Sequence, residues 1–398
     1  MQRKVLFLTV LVLALILLRP GLGRAEGLVW NGSMEVKESY YGLKEPNTAI
    51  PPEMAFSTRL QLKMEMNSGE KQSSVVMLQY QTQDPGKESS VNPGQQSPDF
   101  NLSLQQAYVD LLLPRNAFLR AGRQKIAWGT GFAWNPTNYI GAGKNRADLA
   151  AEKPGVDALN VEVNSGRYSG TVVLKPGDHW GEGAAAAKLG FQVLHGDLSL
   201  SVYKGQDEFG SKRAVGGDFA TTLGDYVLYG EAAWQAGNRR AYVTNAGEVQ
   251  ERPDQGYFHG VAGVYRNFAS NTFLLLEYYH SQEGWNDQEV ENYYKLLAAP
   301  LITPEVTALL QTEIGDLRQN YLFFLARKPE LIDSLTVGGS VLWNLDDQSY
   351  MLTPEIRYDL GQSACLLLNG NLFRGERTTE FGSLPFRSQV NAGIVVNF

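Results

Sequence analysis

Polar and apolar residues alternate along most of this chain with a period of two. In "STRLQLKMEM", Leu60, Leu62, Met64 and Met66 fall on one face, and Arg59, Gln61, Lys63 and Glu65 on the other. In "SYMLTPEIRYDL", Tyr350, Leu352, Pro354, Ile356, Tyr358 and Leu360 oppose Ser349, Met351, Thr353, Glu355, Arg357 and Asp359. "VDALNVEV" sets Asp157, Leu159, Val161 and Val163 against Ala158, Asn160 and Glu162. Successive side chains of a strand point to opposite faces, so this is the pattern of β-structure. Little before residue 285 repeats at the helical period. The pattern predicts eighteen strands, at about 27–41, 53–66, 71–84, 97–113, 116–128, 155–165, 167–175, 183–195, 197–204, 211–222, 225–236, 255–268, 271–281, 317–327, 332–344, 348–360, 362–374 and 385–398. Sixteen is the alternative, because 27–41 and 97–113 break parity internally.

The connections alternate in length. "NSGE", "PRN", "SG", "HGD", "GD", "ASN" and "GQS" are short, while 42–52, 85–96, 129–154, 237–254, 282–316 and 375–384 are long. In the last but one, "ITPEVTALLQTEIG" predicts a short helix. Thr303 suits the N-cap, Pro304 the first helical position and Glu305 the first turn, and Val306, Leu309 and Leu310 form an apolar stripe. A soluble sandwich would turn its apolar faces inward. The lone charges in mid-strand, with 43% hydrophobic residues and 41 glycines, favour the opposite arrangement. The expected fold is all-β: an antiparallel up-and-down transmembrane barrel, apolar outside and polar within.

The two ends sharpen this reading. Arg3 and Lys4 precede an unbroken apolar run, Val5 to Leu18, and Gly23 and Ala25 supply small residues for cleavage after Ala25. Fourteen residues are short for a bilayer-spanning helix, which needs about twenty, and suit a signal peptide over 1–25. Removing it takes away Arg3, Lys4, Arg19 and Arg24, so 35 basic residues become 31 against 42 acidic ones, and the net charge moves from −7 to −11. An acidic chain is a poor nucleic-acid binder. At the other end, "FRSQVNAGIVVNF" alternates to a terminal aromatic, with Ile394, Val396 and Phe398 on the apolar parity. This strand resembles the C-terminal signal of Gram-negative outer-membrane β-barrel proteins. "GRQKIAWGTG" is similar to a strand motif of porin-like and polysaccharide-export barrels. The resemblance implies a barrel over 26–398, inserted from the periplasm into outer-membrane lipid by the barrel assembly machinery.

Candidate chemistry is sparse. Cys365 is the single cysteine, and His179, His195, His259 and His280 lack metal-ligand spacing, so no metal and no cofactor are expected. "GTGFAW" begins like a dinucleotide fingerprint, but Trp134 stands where the third glycine belongs. His179 beside Asp178 is the one candidate for hydrolase chemistry, the least favoured reading; an enzyme is not expected. Tyr40, Tyr41, Trp128, Trp134, Trp234, Tyr278, Tyr279, Trp343 and Tyr350 near strand ends suit interfacial girdles.

Function is expected in the lumen. Parity turns Arg59, Lys63, Arg123, Lys125, Lys188, Arg266, Arg327, Arg357 and Arg387 inward, with Glu65, Asp110, Glu162, Asp218, Glu231, Glu277, Glu355 and Asp359. That lining is mixed in sign. Ile126 and Trp128 then face the membrane interface. The resemblance implies a porin-like channel for small hydrophilic solutes, and in general porins the third long outer loop folds inward. Here that loop is 129–154, making Lys144, Arg146, Asp148, Glu152 and Lys153 constriction candidates beside Arg123, Lys125, Glu355 and Arg357. The alternative is a sheath holding a partner protein, such as a multihaem electron conduit, in the lumen.

Overall fold

The computed structural model describes residues 28–44, 54–68, 71–83, 99–149, 151–177, 179, 182–193, 195–207, 210–238, 240–297, 310 and 313–398. Eighteen strands form one antiparallel sheet that closes on itself. They are β1 (Leu28–Leu43), β2 (Met54–Asn67), β3 (Gln72–Gln83), β4 (Asp99–Leu113), β5 (Ala117–Gln124), β6 (Val156–Ser165), β7 (Tyr168–Pro176), β8 (Gly183–Val193), β9 (Gly196–Asp207), β10 (Gly210–Leu223), β11 (Tyr226–Ala236), β14 (Gly256–Asn267), β15 (Phe273–Ser281), β16 (Asn320–Ile332), β17 (Leu335–Asn344), β18 (Tyr350–Asp359), β19 (Ala364–Arg374) and β20 (Phe386–Asn397). Between β11 and β14, β12 (Ala241–Val243) and β13 (Val249–Glu251) form a separate hairpin. Each barrel strand pairs with its sequence neighbour, and β1 pairs with β20. The sixteen-strand alternative is therefore overturned. The break in 97–113 is a bulge: Met77 stands opposite Gln106 and Leu78 opposite Leu104, leaving Gln105 extra.

Register fixes the two faces. Outward stand Leu198, Leu200, Val202, Val215 and Phe219, all exposed. Exposed aromatics bracket such aliphatics at both ends. Tyr40, Trp234, Tyr278, Trp343 and Tyr350 lie towards the long loops, and Trp30, Tyr168, Tyr226, Tyr358 and Phe398 towards the short turns. Trp128, Trp134 and Tyr279, expected in these belts, instead pack inside. Arg123 and Arg266 also depart from expectation. The unbroken pairing of β5 puts Arg123 on the outer face with Leu119 and Ala121, where it meets Asp157. Arg266 stands opposite outward Tyr226 and pairs with Asp225.

The seam between β1 and β20 closes at Phe398. Gly32 and Phe398 exchange backbone hydrogen bonds of 2.8 and 3.0 Å, and the Phe398 ring meets Trp30 edge-on at 6.4 Å. Ile394 and Val396 pair with Val36 and Met34 on the outer face. Deleting Phe398 removes both bonds and the ring contact. The expected result is a marked loss of folded barrel, read as loss of the heat-modifiable band; unchanged yield would contradict it.

The segment 1–25, expected to be a signal peptide, lies outside the described residues, as do Thr303, Pro304, Glu305, Val306 and Leu309 of the expected helix. The helix described in that connection is α1, Asp287–Leu297. Asn286 and Glu289 cap it reciprocally: Glu289 N donates to Asn286 Oδ1 and Asn286 N to Glu289 Oε2, both at 3.0 Å. Val290 of α1 joins Ala241, Val243, Trp285, Leu310 and Leu317 in an apolar cluster over the hairpin.

Candidate functional site

β5 is short. It stops at Gln124 after eight residues, while β4 runs on for a further stretch paired only with β3. The chain thus leaves the wall part-way up and turns into the lumen. Gln124 is fully buried there and donates to the Ala158 carbonyl at 2.8 Å. Ile126, expected to face the membrane interface, packs on Ala158, Val173 and Ala186 of the inner wall. Trp128 and Tyr139 join that cluster, and the Tyr139 hydroxyl lies 3.3 Å from Ser201 Oγ on β9.

The next segment is fastened by two carboxylates projecting inward from the wall. Glu231 on β11 accepts from Gly131 N at 2.5 Å, Asn135 Nδ2 at 2.8 Å, and Thr137 N and Oγ1 at 3.2 and 2.9 Å. Glu277 on β15 accepts from Ala133 N at 2.8 Å, Trp134 N at 3.1 Å, the Tyr229 hydroxyl at 2.6 Å and Phe132 N. The glycine-rich turn that looked like half a phosphate cradle therefore spends its amides on the protein's own carboxylates. Glycine at 129 has a physical reason: φ is +91°, and an added Cβ would sit 2.4 Å from Glu231 Oε1. Lys144 closes the turn from the other side, donating to the Gly131 and Phe132 carbonyls at 2.5 Å each. Burial lowers its ammonium to about 8, and Glu277 opposes the shift.

Aromatic packing adds to the fastening. The buried Trp134 ring stacks on Tyr279 at 4.8 Å and its Nε1 donates to the Gly315 carbonyl at 3.0 Å. Phe132 stacks on Phe323 at 6.1 Å. Arg146, buried, reaches Asp316 at 2.5 Å, Glu313 at 3.2 Å and the Ile314 carbonyl at 2.6 Å. It thereby ties this loop to the connection after α1. Asn371 on β19 donates to the Ala147 carbonyl at 3.2 Å. The contacts of 129–154 thus run around the inner wall from β6 and β9 through β11 and β15 to β19.

The other candidate residues are not gathered at one place. Lys125 pairs with Glu152 inside the loop, beside a cavity of about 270 Å³. Asp148 sits in a tight turn whose backbone bonds run from Asn145 to Ala151. Glu355 and Arg357 face inward from β18, towards the short-turn end, against Arg327 at 3.7 Å and Asp359 at 2.8 Å. Arg123 is on the outer face. A second cavity, about 230 Å³, lies between the loop and the wall, lined among others by Lys144, Arg146, Arg240, Tyr279 and Glu283.

A second knot joins the connection after α1, the short connection between β17 and β18, and the one between β19 and β20. The buried Glu380 carboxylate accepts from the Gly315 amide, the Tyr321 hydroxyl and Asn344 Nδ2, all at 2.8 Å, and Glu380 N donates to Asp347 at 2.8 Å. Burial, reinforced by Asp347, raises its carboxyl to about 7. Strand parity turns Glu231 and Glu277 inward but does not mark them as fasteners. Their signal was a lone carboxylate in an apolar strand segment; Glu380, in an irregular loop, carried none.

No family model and no curated protein sequence matches the chain. Solved structures do. OccAB1 of Acinetobacter baumannii has a TM-score of 0.57 at 11% identity, covering 96% of this chain and 99% of that one. Salmonella typhi OmpF, in complex with daunomycin, has a TM-score of 0.48 at 9% identity over 93% and 97%. The outer membrane channel DcaP of Acinetobacter baumannii has 0.44 at 10% over 93% and 97%. At these identities the likeness to OccAB1 is one of fold: this chain is a closed eighteen-stranded antiparallel up-and-down β-barrel.

Proposed function

We propose that the chain is a porin-like channel of the Gram-negative outer membrane, passing small hydrophilic solutes by diffusion, with 129–154 narrowing the passage. The observation that carries this reading is the two exposed aromatic belts around an apolar outer band, enclosing a wall of polar side chains. That is the surface a barrel needs in lipid with water inside. Barrels of this strand number leave an aqueous lumen instead of a packed core. In this reading residues 1–25 are cleaved on export, and Phe398, Val396 and Ile394 present the assembly signal. The loop that crosses the lumen takes up room a partner protein would need, so the channel is favoured over the sheath.

Purified protein in planar bilayers is expected to give discrete, stable conductance steps from the chain alone. Reversal potential in a salt gradient then measures the ion preference. Absence of current under all salts and voltages, from protein with intact barrel migration, would remove the channel reading.

A further inference from the structure

The loop fastens mainly on one half of the wall, and the opposite half is built differently. On β2 and β3, Gln61 Nε2 donates to Gln79 Oε1 at 2.8 Å, and Gln79 Nε2 to Gln81 Oε1 at 3.3 Å. On β19 and β20, Gln389 Nε2 donates to Asn391 Oδ1 at 3.1 Å, and Asn391 Nδ2 to Asn369 Oδ1 at 2.8 Å. All six face inward, and β1 joins the two ladders, with Ser39 paired to Asn391 and Ser33 to Gln61. Charges between them are largely matched: Arg59 meets Glu35 at 2.9 Å, and Lys63 meets Glu65 at 3.0 Å. Among the described residues of these strands, Lys37 is an inward cation outside these pairs, and Arg387 is the extra residue at the β1–β20 register shift.

We propose that this amide-lined wall is a binding track for neutral, hydroxyl-rich solutes, namely mono- and oligosaccharides. The inference rests on the channel reading and names the solute class. An amide offers two donors and two acceptor lone pairs. The ladder uses part of that capacity and holds each group in a fixed orientation. What is left points to the lumen, where water satisfies it. A sugar hydroxyl is donor and acceptor at once, so it replaces such a water bond for bond. A charged solute gains little from uncharged amides and gives up hydration to reach them. Neighbouring amides along a strand and across to the next one offer partners in two directions, which suits a chain of hydroxyls sliding past.

The test is maltotriose added to one side of a bilayer holding the wild-type channel and, separately, the triple variant Gln61→Leu, Gln79→Leu, Asn391→Leu. Maltotriose is expected to block wild-type current in resolvable events. The variant is expected to keep its salt conductance while its maltotriose affinity falls at least about tenfold, the loss of several net hydrogen bonds. Block that persists unchanged in the variant, or wild-type current that maltotriose never interrupts, overturns the proposal and leaves the channel standing. No current at all removes the channel and the track together. If the variant does not fold, swelling of wild-type proteoliposomes decides. Glucose entering faster than the similarly sized gluconate anion supports the track; equal or slower entry overturns it.

Discussion

Replacing Glu277 with alanine is expected to free 129–154 from the wall and raise single-channel conductance several-fold, with noisy gating in place of steady steps. The carboxylate accepts from three consecutive backbone amides and from the Tyr229 hydroxyl. Hydrogen bonds to a charged acceptor contribute about 1.5–3 kcal/mol each, and buried donors left without a partner cost a similar amount. Even with partial rescue by water, the seated loop loses about 4 kcal/mol or more. Since about 1.4 kcal/mol is a factor of ten, that is enough to change which loop position dominates. Glu277→Gln is the sharper variant. It keeps the shape, but its amide NH₂ faces donors, so it too should unseat the loop. The barrel's own ladders are untouched, so heat-modifiable migration should not change. Steady conductance at the wild-type level in both variants would show that Glu277 does not hold the passage narrow.

The second large effect is a pH dependence centred on Glu380. Burial, with Asp347 next to it, raises this carboxyl to about 7 from an ordinary value near 4.5. A group bound more tightly to its proton in the folded state adds stability that is complete below the unfolded pKa. That stability is lost as pH rises through the folded one. The knot joining Gly315, Tyr321 and Asn344 should therefore be tightest near pH 5 and weaken towards pH 8, by about 3 kcal/mol at 1.36 kcal/mol per unit. Amide hydrogen exchange across 313–319 and 376–384, corrected for intrinsic rates, reads this directly. Wild-type protection should fall between pH 5 and pH 8. Glu380→Gln, neutral at every pH, should flatten the profile and leave protection at pH 8 at or above wild type. An unchanged pH profile in that variant would assign the effect to another group.

The strand pattern was legible because its cause is local. Leu60, Leu62, Met64 and Met66 share a face in the sequence for the same reason they do in the fold: a pleated strand has a period of two. Glu231 and Glu277 were placed inside by that rule alone. Where the backbone departs from a plain strand, the rule fails. Gln105 adds a residue to β4 and shifts parity. β5 ends at Gln124, so Ile126 and Trp128 lie inside although alternation sent them outward. Arg123, counted as lumenal, stays on the outer face with Asp157, a partner the same counting had already set beside the outward leucines. The capping pair Asn286 and Glu289 was readable three residues apart, yet the more apolar segment downstream drew the helix prediction.

By itself the sequence determined the architecture: alternating strands, short turns against long loops, a closing strand that ends on Phe398, and two faces of opposite polarity. The resemblance pointed 129–154 inward, but only the tertiary structure decided where it is seated. Its seat depends on amides at 131–134 meeting carboxylates that lie 100 and 143 to 145 residues further along the chain. No periodicity reports such a meeting. The position of Glu277 relative to Trp134 exists only once eighteen strands have closed and β5 has stopped short of its neighbours. Strand faces follow from bond geometry between adjacent residues. The loop's seat follows from which buried acceptors the finished barrel leaves waiting inside.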